Sequence, residues 1–417
     1  MNLLIDFITI NIKGGASEYA RYFILELARK QSSGEIPNIN LYALYDSTKP
    51  IAYEDLCEES LSKKCQIRYI DLSQSSLSRV VEEYNIDRFF ITCAQLIGVY
   101  KDVSQVECEV ICVIHDLCDQ EMYFNHINEY LDLMHRDHTQ EILRDNSFKT
   151  KIHNIRMACR MAKRMIKNGN NYECEKKYEY EMTLERMKPI VSLAYHNKKT
   201  KIITVSEYTK ASIMYNFNIP NETISVLYAP ERIYDKTNDK IEDIQLDKLI
   251  HTKKKYYLMV SCNRMFKNPI KAIRAFNQYK DNHPDSYLVT IGYPYNTGDN
   301  VFNLDFLSDS DLIHAYKNCY ALIYPSFFEG FGYPPIEAMH YGKPVLSTNA
   351  TSVPEILGDA PIYFSPFYES GVYNALKTLS EDNYFIYSRN SETRYKIVKE
   401  RQNKDTEKLL KILISEK

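Results

Sequence analysis

The sequence predicts an α/β protein built from two doubly wound, Rossmann-like domains, and three observations carry that expectation. Short apolar strand-like runs alternate with amphipathic segments along both halves of the chain, the pattern that gives parallel sheets covered by helices on both faces. The chain has 417 residues, which at about 150 residues per domain suggests two or three domains. Hydrophobic residues are 44% and charged residues 26% of the total, a globular balance that leaves enough apolar surface to build cores and sets aside collagen-like, low-complexity and disordered chains.

In the first half the strand-like runs are Leu3–Ile12, Asn40–Asp46, Gln66–Asp71, Arg88–Thr92 and Val110–Ile114. Between them lie Glu18–Arg29 and Leu77–Tyr84, where apolar residues recur at three and four. In the second half the alternation is strand Tyr256–Ser261, helix Pro269–Tyr279, strand Tyr287–Gly292, helix Asp309–Asn318, strand Ala321–Tyr324, helix Pro335–Tyr341 and strand Pro344–Ser347. Ala229-Pro230 interrupts the pattern and places the linker near Tyr228–Asp235. The expected domains are therefore 1–230, closed by a terminal amphipathic helix over 396–417, and 231–395.

The segment from Asp116 to Thr200 has no clear strand and reads as a largely helical insertion over about 117–200. Within it, Ser147–Tyr172 carries Lys149, Lys151, Arg156, Arg160, Lys163, Arg164 and Lys167 with no acidic residue. Ile152, Ile155, Ala158, Ala162, Met165 and Ile166 form an apolar stripe beside that cationic face. Two readings stay open. The helix lies on an anionic membrane surface or holds an anionic acceptor, or its charges are taken up by Glu173, Glu175, Glu179, Glu181 and Glu185 in a helical hairpin.

Net charge and cysteine usage narrow the class further. With 52 basic and 55 acidic side chains the net charge is −3, so the chain as a whole has no footprint for a nucleic acid backbone. The 10 cysteines are scattered without a CxxC pair, and several sit in apolar strand runs, which fits reduced core residues of a cytoplasmic protein. The longest uncharged stretch, Ser286–Gly298, has 13 residues, short of the roughly 18 a membrane span needs. The apolar start is interrupted by Asp6 and followed by Lys13-Gly14-Gly15, so it is read as part of the fold rather than a signal peptide.

The most informative stretch runs from Tyr324 to Ser347: strand end, glycine loop, helix, glycine stop, strand. Pro334 and Pro335 suit a first helical turn, where no amide donor is needed, and Gly342 followed by Pro344 suits its end. The loop Glu329–Tyr333 then meets the positive end of a helix dipole, and Gly330 and Gly332 let free amides approach a phosphate. Glu329, in the loop, and Glu337, placed in the first helical turn, read either as carboxylates for a ribose diol and a bound ligand or as a solvated group and a helix cap. Asp309-Ser310-Asp311 has the spacing of a metal-binding DxD, but as it directly precedes Leu312-Ile313-His314-Ala315 it reads as a helix N-terminus with acidic first-turn residues.

The Glu329–Glu337 spacing resembles the E-x7-E region of the retaining glycosyltransferases of family 4, which have the GT-B fold of two facing Rossmann-like domains. Other segments agree in order: Gly14-Gly15 after the first strand, His115-Asp116 after a strand, Ile203–Lys210, Val260–Asn268, and Ser347-Thr-Asn-Ala-Thr-Ser-Val-Pro-Glu355. What the resemblance implies is transfer of a sugar from a nucleotide diphosphate with retained anomeric configuration, no cofactor and no essential metal. It further implies that Glu337 binds the ribose, and that Glu329 with the amides of Gly330, Phe331, Gly332 and Tyr333 holds the donor sugar and phosphates. Lys267 and Arg264 would neutralise the departing diphosphate, His115 would contact the donor sugar near the reacting carbon, and Gly14 and Gly15 would bring backbone to the diphosphate or acceptor.

Three departures from the family pattern are visible. Cys262 stands where the family often has an arginine, the Phe-Ser-Trp near the C-terminal helix is missing, and the 116–200 connection is longer than usual. The expected partners are a nucleotide sugar and a saccharide or lipid-linked saccharide acceptor in cell-surface polysaccharide or glycoconjugate synthesis. The expected location is the cytoplasm, on the inner face of the membrane if the basic segment binds lipid. A sugar-nucleotide epimerase on the same fold and a catalytically inactive binding or scaffold protein are the rival readings; the intact Glu329, Glu337 and Lys267 argue against an inactive site.

Overall fold

The computed structural model describes residues 1–36, 39–94, 102–118, 121, 188, 191–195, 199–234, 240–293, 298 and 300–415. The basic segment 147–172 and nearly all of the expected insertion lie outside the described residues. The chain divides into two compact units, one containing Met1–Leu117, Glu181–Ile233 and Lys399–Lys417, the other containing Tyr234–Val398.

In unit 1 the strands β1 (Asn2–Asp6), β2 (Asn40–Tyr45), β3 (Ile67–Asp71), β4 (Arg88–Ile91), β5 (Glu109–Ile114), β6 (Lys201–Thr204) and β7 (Ile224–Val226) form one parallel sheet in the order β3-β2-β1-β4-β5-β6-β7. Leu4 pairs with Tyr42 on one side and Phe89 on the other. Helices on both faces bury these strands, which is why β4 and β5 are buried at every position rather than alternating. Leu4, Phe89, Val110, Cys112 and Ile202 belong to one core.

Unit 2 repeats the plan with β8 (Lys255–Met259), β9 (Ser286–Ile291), β10 (Val301–Leu304), β11 (Ala321–Tyr324), β12 (Val345–Thr348) and β13 (Ile362–Phe364), again parallel, in the order β10-β9-β8-β11-β12-β13. Strand order reverses between β8 and β11, so the loops leaving their carboxyl ends diverge and leave a crevice, the place where open sheets of this kind bind ligands. The two loops are those that carry Lys267 and Glu329.

Most expected elements agree with the structure within two residues, and three expectations are corrected. The first strand stops at Asp6 instead of reaching Ile12, because the buried Asp6 carboxylate accepts the amides of Ile8 at 2.9 Å and Thr9 at 3.2 Å and winds Ile8–Ile10 into a 3-10 turn. The terminal helix begins at Glu381 rather than Lys396 and runs to Ile414. In its first half Tyr384-Phe385-Ile386-Tyr387 run together instead of recurring at three and four, Phe385 and Ile386 are exposed and Ser391 is fully buried, so no apolar stripe marks it. The helix after the glycine loop is Tyr333–His340, which makes Glu337 its fifth residue and moves it beyond the first turn.

None of the eight described cysteines is in a disulfide, and Cys93, Cys108, Cys112, Cys262 and Cys319 are buried. Among the described residues, no helix is long and apolar enough to cross a membrane.

Candidate active site

The site is assembled from three loops at the carboxyl ends of β8, β11 and β12. After β8 the chain turns through Ser261, with φ +59°, and a 3-10 turn over Met265–Lys267, then enters the helix Pro269–Lys280 through Asn268, with φ +56°. Asparagine tolerates that left-handed conformation better than most residues. Its buried side chain then donates to the carbonyls of Pro325 at 3.2 Å and Pro366 at 2.9 Å. Phe327 donates its amide to the Phe266 carbonyl at 2.8 Å, so the β8 and β11 loops are joined through backbone as well.

These ties bring Lys267 to Glu329. The ammonium forms an ion pair with Oε1 of Glu329 and lies 3.4 Å from the Tyr324 hydroxyl, with both charged side chains about nine-tenths buried (11% and 10% exposed). The Lys267 Nζ also lies 5.3 Å from the centre of the Tyr324 ring, within cation–π range. Burial, and then the negative charge of Glu329, raise the Tyr324 hydroxyl well above its usual pKa, so it stays protonated as a donor. A cation, a carboxylate and a neutral hydroxyl therefore meet in a place poor in water, where each interacts more strongly than at the surface.

The helix Tyr333–His340 follows at once. Its N-cap Gly332 has φ +96°, a conformation that side-chain-bearing residues rarely adopt, so glycine is required there by the backbone. Pro334 and Pro335 remove two of the amides a helix N-terminus ordinarily offers. Ile336 begins the intrahelical ladder on the Gly332 carbonyl, so an anion at this helix end would be met from the loop that precedes it rather than from the next helical amides. Glu337 projects from the second turn, and its Oε2 accepts the hydroxyl of the fully buried Tyr316 at 2.6 Å.

The third loop follows β12. Thr351, with φ +54°, accepts the Glu329 amide on its hydroxyl at 3.1 Å, while the buried Ser352 hydroxyl donates to the Glu329 carbonyl at 2.8 Å.

The structure thus brings Lys267 and Glu329 into contact and sets Gly330–Tyr333 and Glu337 on the same loop and helix. Arg264 is placed differently: it is exposed, with its guanidinium 5.9 Å from the Phe266 ring centre. Cys262 is buried and its thiol is pushed up to about 12 by burial, so the position that often holds an arginine in the similar family carries no charge here. Asp311 is engaged in structure, since its carboxylate accepts the amides of Glu242 at 2.9 Å and Asp243 at 3.1 Å, while Ser308 caps the helix Asp309–Asn318. Among the described residues no cluster suits a metal ion.

His115, Gly14 and Gly15 lie in unit 1. His115 follows β5, is 9% exposed, donates Nε2–H to the Thr92 carbonyl at 2.9 Å and packs edge-on against Tyr19 at 4.9 Å. Burial lowers its pKa to about 4, which keeps the imidazole neutral. Gly14 caps the helix Gly15–Ser32 with extended backbone that any residue adopts, and its carbonyl accepts the Glu18 amide at 2.9 Å.

Sequence reasoning missed Tyr316, Tyr324, Thr351, Ser352 and Asn268. Two signals were present: Asn268 precedes a helix-opening proline, and Thr351-Ser352 sits in one of the segments that matched the family in order. Nothing in the sequence marks Tyr316, which reaches Glu337 from another helix.

With two α/β units, each built on a parallel sheet, the protein has the GT-B fold. The structure aligns with the Anabaena protein Alr3699/HepE in complex with UDP and glucose at a TM-score of 0.63, with 15% identity over 99% of each chain. Residues 240–382, within the second unit, match the family model described as Glycosyl transferases group 1. The O-antigen chain mannosyltransferase RfbU of Salmonella typhimurium is 30% identical over 194 residues, 43% of this chain and 51% of RfbU. The O-antigen chain mannosyltransferase B of Escherichia coli is 39% identical over 82 residues, 19% of this chain and 22% of that protein. The matched region thus spans about half of RfbU and about a fifth of mannosyltransferase B.

Proposed function

We propose that this protein is a retaining, metal-independent glycosyltransferase that moves a sugar from a nucleotide-diphosphate sugar to a saccharide or lipid-linked saccharide acceptor in cell-surface polysaccharide synthesis. The observation that carries the reading is the Lys267–Glu329 pair at the sheet's switch point, directly before a glycine-opened helix. The group 1 match over 240–382 and the similarity to two O-antigen chain mannosyltransferases support it.

In this reading the diphosphate lies against the amides of Gly330–Tyr333, with Lys267 and the exposed Arg264 offsetting the charge it gains as the glycosidic C–O bond breaks. Glu337 holds the ribose and Glu329 the donor sugar. The acceptor hydroxyl forms the new C–O bond on the face the phosphate leaves, and its proton passes to the departing phosphate oxygen. No cofactor is called for.

The test is a panel of nucleotide sugars, mannosyl and glucosyl donors included, scored for protection of the purified protein against thermal unfolding. Transfer is then assayed with the protecting donor, and NMR assigns the anomeric configuration of the product. Protection by none of the panel would overturn the reading, and an inverted product would overturn retention.

A further inference from the structure

We propose that Thr351 and Ser352 are positioning residues that hold the backbone of Glu329 on both sides of its Cα, by its amide and by its carbonyl, and so hold the Glu329 carboxylate against Lys267; the inference rests on the glycosyltransferase reading above. The Glu329 amide donates to Thr351 Oγ1 at 3.1 Å, and the Glu329 carbonyl accepts from Ser352 Oγ at 2.8 Å. The two side chains belong to the loop after β12, 22 and 23 residues further along the chain.

What distinguishes this contact from ordinary loop packing is the conformation of Thr351. A β-branched residue at φ +54° is a backbone outlier, and the position would suit glycine. Residues kept in such strained conformations cluster where geometry must be held for function. Here the strained residue is the one whose hydroxyl meets Glu329. Ser352 is fully buried, so its bond to Glu329 is not exchanged for one to water. Fixing the amide and the carbonyl of one residue fixes its Cα–Cβ direction, and with it the point from which the carboxylate reaches Lys267.

Misplacing a catalytic carboxylate by about 1 Å can cost about a hundredfold in rate. Thr351→Val, which keeps the shape and removes the acceptor, should lower kcat by about tenfold or more while donor KM changes less than threefold, and Thr351→Ser should restore it. Thr351→Gly, which relieves the backbone and also lacks the oxygen, should not restore it. Ser352→Ala should act in the same direction as Thr351→Val.

Crystal structures of Thr351→Val and Ser352→Ala read the positioning without reference to turnover. The Glu329 carboxylate should be displaced from the Lys267 ammonium, and an unmoved carboxylate would overturn the proposal. Wild-type turnover in Thr351→Gly would overturn it too, since the backbone alone would then suffice. A native chain that binds no nucleotide sugar would sink the glycosyltransferase reading instead, while the crystallographic comparison would still decide the grip on Glu329.

Discussion

The hydroxyl of Tyr316, on the helix Asp309–Asn318, donates to the carboxylate of Glu337, on the helix Tyr333–His340, across 2.6 Å. A buried neutral hydroxyl bound to one carboxylate oxygen selects the rotamer of Glu337 and so its direction. If Glu337 binds the ribose, Glu337→Ala should weaken affinity for the nucleotide diphosphate by about 1.5–3 kcal/mol, the range for hydrogen bonds to a charged group. Tyr316→Phe should cost about 1 kcal/mol in the same titration calorimetry by loosening that rotamer. Unchanged affinity in Glu337→Ala would remove it from the site.

Lys267 is buried beside Glu329, so removing the ammonium leaves a nearly buried carboxylate without its cation. Lys267→Met should lower kcat by about 100-fold or more and should also lower the unfolding midpoint. Lys267→Arg keeps the charge but changes its shape and hydration, so it should retain the midpoint and recover only part of the rate. Full activity in Lys267→Met would show that the cation takes no part in the chemistry.

If cationic side chains and the helix N-terminus supply the positive charge that a metal supplies elsewhere, turnover should survive a chelator. Asp311→Ala should lower stability by about 1–3 kcal/mol, the cost of leaving the Glu242 and Asp243 amides without their acceptor, with no change in metal response. Complete loss of transfer in EDTA, reversed by added metal, would contradict this account.

His115 sets a pH dependence in unit 1. Its pKa is about 4 in the folded protein against an ordinary 6.5, so between those values the unfolded chain binds a proton that the folded one refuses. Stability is therefore at its full value above about pH 6.5 and falls as the pH drops toward 4, by on the order of 3 kcal/mol for this group. Denaturant unfolding of the native chain and of His115→Gln across that window checks the sign, since the variant should show a shallower loss on acidification. Parallel curves would mean that the imidazole does not titrate as its burial requires.

The sequence by itself determined the alternation of strands and helices, the strand-loop-helix unit from Ala321 to His340, the glycine at 332 and the reduced core cysteines. Each is written in local periodicity or in a backbone conformation that few residues tolerate. Lys267 and Glu329 were singled out from the sequence, but their contact depends on β8 and β11 becoming neighbours, a pairing that joins residues 62 positions apart. Tyr316 on Glu337 and Thr351-Ser352 on Glu329 were decided in the same way, by which loops the strand order sets side by side. The early stop of β1 at Asp6 is local, a carboxylate accepting the amides two and three residues ahead, a turn signal that the apolar run up to Ile12 masked; the start of the last helix at Glu381 came only from the tertiary structure, where Ser391 is buried in place of an apolar side chain. Local pattern records what a residue does to its own backbone, whereas a site of this kind is made of contacts between segments that only the sheet's strand order brings together.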